Sequence, residues 1–163
     1  MTAIAEGITA LNRLLFALAK WLVYAIVLLM LWEVLSRYLV QAPTSWAPEL
    51  ATLIFGPFFL LGGPYLLHIG GHVAVDVLSE RATGGFAKIL KIIGFILAAA
   101  FGAILLWFAV PLAVQSWEYG ETSYSAWNPV IWPAKAFLPL ASALLLLQAL
   151  AEIVLTLGDE EAA

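Results

Sequence analysis

Residues 89–114 read ILKIIGFILAAAFGAILLWFAVPLAV, an almost entirely apolar run. Lys91 is the single charged residue in it. A helix of about 20 apolar residues is long enough to cross the hydrocarbon core of a bilayer. Three more apolar stretches occupy residues 21–40, 46–68 and 130–157. Because a helix satisfies its own backbone hydrogen bonds in lipid, the pattern predicts an all-α membrane protein, one domain over residues 1–163 with four transmembrane helices.

The composition supports a chain that lies in lipid. Hydrophobic residues make up 64% of the sequence and charged residues 11%, which is too few charges to cover a water-facing surface. No basic run is present that would bind nucleic acid. The absence of cysteine excludes disulfides, thiol catalysis and iron–sulfur ligation. We expect the lipid bilayer as the surrounding medium, no nucleic-acid partner and no cofactor.

The segment before the first span is also apolar, on one helical face. Residues 8–20 are predicted to form an amphipathic lead-in that lies at the membrane interface and joins the span. The first ten residues contain Glu6 and no basic residue. We therefore expect the first span to be an uncleaved anchor, not a signal peptide.

The second span contains several residues that disturb helices. Pro43 in the preceding turn should end the first span, and Thr44 or Ser45 can cap the second. Within the span, Gly56-Pro57 and Gly62-Gly63-Pro64 predict a kinked helix that another helix can approach closely.

The connection between spans two and three, residues 69–88, is the longest polar stretch. Its apolar residues fall on one helical face, which predicts a short cytoplasmic interfacial helix. A strand is the alternative, because Val73, Val75 and Val77 alternate, but a lone strand at a membrane has no partner.

The distribution of Lys and Arg predicts the orientation. The side of the first residues and of residues 69–91 carries Arg13, Lys20, Arg81, Lys88 and Lys91, and the opposite side carries Arg37 and Lys135. The positive-inside rule then places both termini in the cytoplasm.

Glu33 and Arg37 are four residues apart in the first span, so they share a helical face. Charges inside a membrane span are a hypothesis of function by default. The pair is interpreted either as a structural ion pair or as a contact with another subunit.

His68, His72 and Asp76 have the spacing of ligands on one helical face. Gly70-Gly71 separates the two histidines and disfavours an unbroken helix. The sequence holds no further His or Cys to complete a metal site. Both histidines fall on one segment at one membrane edge, which also disfavours a bis-histidine haem. We expect no metal.

The second outer loop, residues 115–128, carries Glu118 and Glu121 among Trp and Tyr residues. It is interpreted as a solvated loop or as a docking surface for a partner outside the membrane. Lys135 is expected to extend to the outer interface. Gln148 and Glu152, four apart in span four, could bond another helix.

No catalytic or nucleotide-binding motif is present, and both histidines are predicted opposite the acidic outer loop, so we expect no enzyme. A carrier usually breaks helices at mid-depth in two matching halves and lines the gap with polar groups. Here span two is interrupted, span three is not, and mid-depth polar residues are scarce. We infer that the chain forms no solute pathway alone.

Four motifs, in order, resemble one family. They are EVLSRY (33–38) followed by WAPEL (46–50), LGGPYLLH (61–68), GGHVAVDVL (70–78), and GETS (120–123) with WPAK (132–135) and LPL (138–140). The sequence resembles the small membrane subunit, DctQ-like, of tripartite ATP-independent periplasmic (TRAP) transporters. Ala74 and Pro48 depart from residues common in the family.

The resemblance implies an accessory scaffold subunit in a bacterial inner membrane. A large membrane subunit would carry the substrate and sodium sites, and a periplasmic substrate-binding protein would deliver an organic acid. Candidate partner-contact or helix-packing residues are Glu33, Arg37, Trp46, Glu49, Gly62, Gly63, Gly71, His72, Asp76, Glu118, Glu121 and Lys135. Two alternatives are a stand-alone proton-coupled transporter, with Glu33 as the titrating acid, and the membrane anchor of a redox enzyme.

Overall fold

The computed structural model describes residues 2–70 and 85–158, and they form five helices. These are α1 (Thr2–Ala19), α2 (Leu22–Tyr38), α3 (Trp46–His68), α4 (Gly85–Glu118) and α5 (Trp132–Gly158). Four apolar helical stretches are long enough to cross a membrane: Ala3–Tyr38, Trp46–His68, Gly85–Glu118 and Trp132–Gly158. The predicted all-α class with four such stretches is confirmed for this part of the chain.

The helices tolerate residues that would break them in water. Pro57 and Pro64 lie inside α3, Pro111 inside α4 and Pro139 inside α5. In lipid the backbone has no water to bond with, so it retains the helix around these residues. The kink of the second span stays a prediction.

Helix α5 is the centre of the molecule. It packs against α4, α3 and α1, whereas α4 packs against α5 alone among the described helices and α2 packs mainly against α3. The buried face of α5 comprises Ala141, Ser142, Leu144, Gln148, Ala149, Ala151 and Glu152. The helices therefore form a slab with α4 at one edge and α2 near the other, and most apolar side chains of these two helices face outward.

The slab has two ends with different residues. The loop end holds residues 41–45 and 119–131, and the His68 end holds His68 and the last turn of α5. An isolated antiparallel bridge joins Thr122 to Val130 at the loop end. No β-strand occurs in residues 2–70 and 85–158.

Helix α1 differs from the predicted interfacial lead-in. Its last residue, Ala19, is buried in a core cluster with Leu61 and Leu144. Its first turns lie beside His68 and Leu155. Helix α1 therefore runs along α3 and α5 and forms part of the helix packing. Its polar side chains Thr9 and Asn12 bond Gln148 of α5.

Helices α4 and α5 approach each other closely at Gly102. A Cβ built on Gly102 would lie 3.1 Å from the backbone nitrogen of Leu146 and 3.3 Å from its Cα. A small residue at this point lets two backbones approach in the membrane. Gly102 is not among the packing residues predicted from the sequence.

The turn before α3 also differs in detail from its prediction. No side-chain hydrogen bond caps α3 at Ser45. Thr44 instead bonds the carboxylate of Glu33. The predicted interfacial helix, with Gly71, His72 and Asp76, lies outside the described residues.

Candidate partner-contact sites

Glu33 is the centre of a polar cluster near the loop end. Its carboxylate accepts hydrogen bonds from Arg37, from the Thr44 hydroxyl and, at 2.9 Å, from the Thr44 backbone N–H. The Glu33 side chain is 4% exposed, whereas that of Arg37 is 50% exposed. A buried carboxylate with three donors holds the turn 41–45 against α2, and the exposed part of Arg37 remains open to another molecule.

The loop end is held together by a second set of polar contacts. The Lys135 ammonium donates to Glu121 at 2.5 Å, and the Ser125 hydroxyl donates to Glu49 at 2.5 Å. The hydrogen bond from Lys135 lowers the pKa of Glu121 below its usual value. Lys135, expected to extend to the outer interface, binds the loop through this contact. The two contacts fix the loop on α3 and α5.

Aromatic side chains surround this loop. Trp117 and Trp132 meet edge to face with ring centroids 4.1 Å apart. Tyr124 is 87% exposed. Glu118 is exposed, and in residues 2–70 and 85–158 its carboxylate has no hydrogen-bond or ion-pair partner. Trp46, at the start of α3, is also exposed.

A buried hydrogen-bond network joins three helices toward the His68 end. The Gln148 side chain accepts from Asn12 at 2.7 Å and donates to Thr9 at 2.9 Å and to Glu152 at 2.6 Å. Glu152 also lies 2.6 Å from Nδ1 of His68. Gln148 and Glu152 therefore bond other helices, as their spacing had suggested.

Thr9 and Asn12 were not recognised in the sequence. The signal was present, because two polar residues three apart on an otherwise apolar helix face share one side of it. Their partner lies 136 to 139 residues away in the chain, and nothing local identifies it.

His68, His72 and Asp76, which have the spacing of ligands, cannot be compared as a set, because His72 and Asp76 lie outside the described residues. His68 has Glu152 as its partner. No group of three His, Cys, Asp or Glu side chains that could hold a metal occurs within residues 2–70 and 85–158.

The two glycines predicted for close packing have different surroundings. A Cβ on Gly62 would make an ordinary contact with the Phe16 ring at 3.9 Å, and one on Gly63 would meet nothing within 4 Å. Gly63 lines an apolar groove between α3 and α4 with Phe59, Phe101 and Leu105. Within this part of the chain, Gly63 is open to a neighbour.

Most of the chain matches one protein family. Residues 26–158 match the family model described as tripartite ATP-independent periplasmic transporters, DctQ component. The chain belongs to the DctQ family. A search of curated proteins found no match.

Membership makes this DctQ chain a small membrane component of a TRAP transporter. The family works with the DctM and DctP components, and it is a transporter family, not an enzyme family. Four apolar helical stretches agree with a multi-pass protein of the inner membrane. The match begins at Ile26, so α1, with Thr9 and Asn12, precedes the matched residues.

Proposed function

We propose that this DctQ chain is a scaffold subunit that widens and anchors the fixed part of the large membrane component during sodium-driven uptake of an organic acid. The observation that carries the proposal is the slab arrangement. Helices α2 and α4 expose apolar faces on both sides of a central α5. Such faces suit lipid on one side and a larger membrane protein on the other.

The polar groups support a structural role. Glu33 holds Arg37 and Thr44, and Gln148 holds Asn12, Thr9 and Glu152. A carboxylate or amide whose hydrogen bonds are all made to neighbouring side chains and backbone holds the helices and turns that carry them together. This favours a static scaffold over a proton-coupled carrier that depends on Glu33.

Copurification with the cognate large membrane component tests the proposal. We expect a tagged chain to retain that component through detergent extraction and size-exclusion chromatography. Retention of no large membrane protein would contradict the proposal. Glu33→Gln should weaken assembly or thermal stability, whereas the proton-coupled alternative predicts lost coupling in a stable protein. A haem absorption band would favour the redox-anchor alternative.

We further propose that the loop end faces the periplasm, with both termini in the cytoplasm, and that it contributes to docking of the substrate-binding protein. Glu118 is the cleanest probe, because it is exposed and unpaired in the described part of the chain. Glu121 is less suitable, since its reversal also breaks the ion pair with Lys135.

Glu118→Lys should weaken binding of the substrate-binding protein while assembly with the large component is retained. Glu6→Lys, an exposed charge reversal at the other end of the slab, is the matched control. Binding can be measured by surface plasmon resonance on the assembled complex at low ionic strength. Equal binding by the Glu118→Lys variant and wild type would contradict the docking role.

A further inference from the structure

Lys20 lies beside the middle of the helices that cross the slab. It directly follows Ala19, which is buried with Leu61 and with Leu144 near the centre of α5. Two residues later, Leu22 lines a cavity with Pro57 in the middle of α3 and with Pro133 in the first turn of α5, so Lys20 lies between the core cluster and the loop end. The distribution of charges along the sequence predicts that Lys20 lies at the cytoplasmic end of the first span. The structure places it at depth along α3 and α5.

The Lys20 side chain is exposed on this surface. Its ammonium has no hydrogen-bond or ion-pair partner in residues 2–70 and 85–158. The neighbouring side chains are apolar or aromatic and also exposed, with Leu18 at 59%, Trp21 at 63% and Tyr24 at 60%. An unpaired cation that faces lipid at this depth is energetically unfavourable, so such residues usually pair with another group.

The α-helical hydrogen-bond pattern is interrupted beside Lys20, so some backbone carbonyls lack the N–H donor that a continuous helix would supply. The Trp21 N–H bonds the carbonyl of Leu18 at 3.1 Å, and the Tyr24 N–H bonds the carbonyl of Trp21 at 3.1 Å. Both bonds span three residues, so the carbonyls of Ala17 and Lys20 lose the donors four residues on. Irregular backbone at membrane depth is tolerated where protein covers it or water reaches it.

Two ligand chemistries could pair with the ammonium, a carboxylate from a protein or a phosphate from a lipid headgroup. Headgroups begin about 15 Å from the bilayer centre. Lys20 lies one residue beyond the core cluster at the middle of α5, which favours a group that is itself buried in the membrane. A transmembrane helix with an acidic residue supplies both the charge and the cover for the interrupted backbone.

We propose that Lys20, with the helix break at Lys20–Trp21, is a membrane-embedded docking site for an acidic side chain of the large membrane component. The inference rests on the proposed scaffold function and names one contact through which it operates. Trp21 and Tyr24, whose rings lie 5.4 Å apart, flank the site and supply apolar contact area.

Lys20→Met tests this contact, because methionine keeps the length of the side chain and removes its charge. The variant should insert and remain monodisperse, since an apolar residue suits an exposed membrane face. It should reduce the yield of copurified large component by about tenfold or more. Lys20→Arg, which keeps the charge, should retain most of the wild-type yield of the large component.

Lys91→Met is the matched control, an exposed lysine near the His68 end of α4. It should change the yield by no more than about twofold, as expected of a surface substitution. All variants are coexpressed with the cognate large component, extracted together, and quantified from the same size-exclusion peak with bound phospholipid measured by mass spectrometry.

The outcomes separate this inference from the proposed function. If wild type retains the large component and Lys20→Met retains it equally, the docking site is wrong and the scaffold proposal stands. If Lys20→Met loses bound anionic lipid but keeps the large component, Lys20 binds a headgroup and the inference is overturned. If wild type retains no large component, the proposed function fails first.

Discussion

At the scale of single residues, Gln148 has the most consequential side chain. It is fully buried and connects α5 to Asn12 and Thr9 of α1, while Glu152 extends the network to His68 of α3. Buried polar groups are costly when they lose their partners, because lipid offers no replacement. The network therefore fixes how α1 sits on the slab.

Gln148→Leu should lower the free energy of unfolding by about 1–3 kcal/mol, since Asn12, Thr9 and Glu152 each lose a partner. The free energy can be measured by reversible unfolding in mixed micelles of mild detergent and sodium dodecyl sulfate. Leu147→Ala, at an exposed neighbour on the same helix, serves as the control and should have a smaller effect. Equal losses in both variants would contradict the role of the network.

Glu121 gives the loop end a dependence on pH. The hydrogen bond from Lys135 lowers the pKa of Glu121 below its ordinary value of 4.5. A group with a lowered folded pKa stabilises the protein above its unfolded pKa and loses that contribution as the pH falls through the folded pKa. The ion pair is therefore present at neutral pH and lost in acid, below pH 4.5.

Wild type should lose thermal stability on acidification below this pH, and Glu121→Gln should lose less, because it has no charge to neutralise. Glu118→Gln should keep the wild-type slope, as Glu118 has no partner in the described residues. The loss of stability is measured as the change in melting temperature between neutral and acid buffer, for wild type and for the Glu121→Gln and Glu118→Gln variants. Identical slopes for wild type and Glu121→Gln would exclude a contribution from the pair.

At the scale of elements, the contact between α4 and α5 depends on Gly102. The backbone of Leu146 occupies the space that a side chain would need, with its nitrogen 3.1 Å from a built Cβ. Since α4 packs against α5 alone among the described helices, a displacement here affects the entire seating of α4.

Gly102→Ala should destabilise the chain by about 1–3 kcal/mol, the usual cost of overpacking, despite the better helix propensity of alanine. Gly56→Ala is the control, because a Cβ there meets nothing within 4 Å. Thermal unfolding in detergent should give a lower melting temperature for Gly102→Ala and an unchanged or higher one for Gly56→Ala. The reverse order would show that α4 does not approach α5 as described.

The elements also show which features could be predicted from sequence. The four apolar stretches, the turn at Pro43 and the pairing of Glu33 with Arg37 follow from hydropathy and from spacing within one helix. The hydrogen bonds from Thr44 to Glu33 could not be predicted from the sequence, because they depend on how the turn folds back onto α2. Gly102 was missed because sequence does not show which glycine faces another backbone.

At the scale of the whole molecule, the main difference concerns α1. Residues 8–20 looked like an interfacial segment because their apolar residues share one helical face. The structure instead packs the side with Thr9 and Asn12 against α5, where both meet Gln148, and leaves Leu11, Leu14 and Leu18 exposed. Helices α1 and α2 together form an apolar stretch of 36 residues, about 54 Å at 1.5 Å per residue and much longer than one perpendicular crossing requires.

The predicted orientation does not change when Lys20 is left out of the number of Lys and Arg residues on the cytoplasmic side. Arg13, Arg81, Lys88 and Lys91 still outnumber Arg37 and Lys135. The positive-inside rule continues to favour cytoplasmic termini. A slab in this orientation presents the loop end, with its exposed Glu118 and Tyr124, to the periplasm.

The most direct test of the scaffold account is reconstituted transport. Proteoliposomes with an inward sodium gradient would contain this chain alone, the large component alone, or both, with the substrate-binding protein outside. We predict that organic-acid uptake requires the large component and is strongest with all three proteins, whereas this chain alone transports nothing. Uptake by this chain alone, or full uptake without it, would contradict the account.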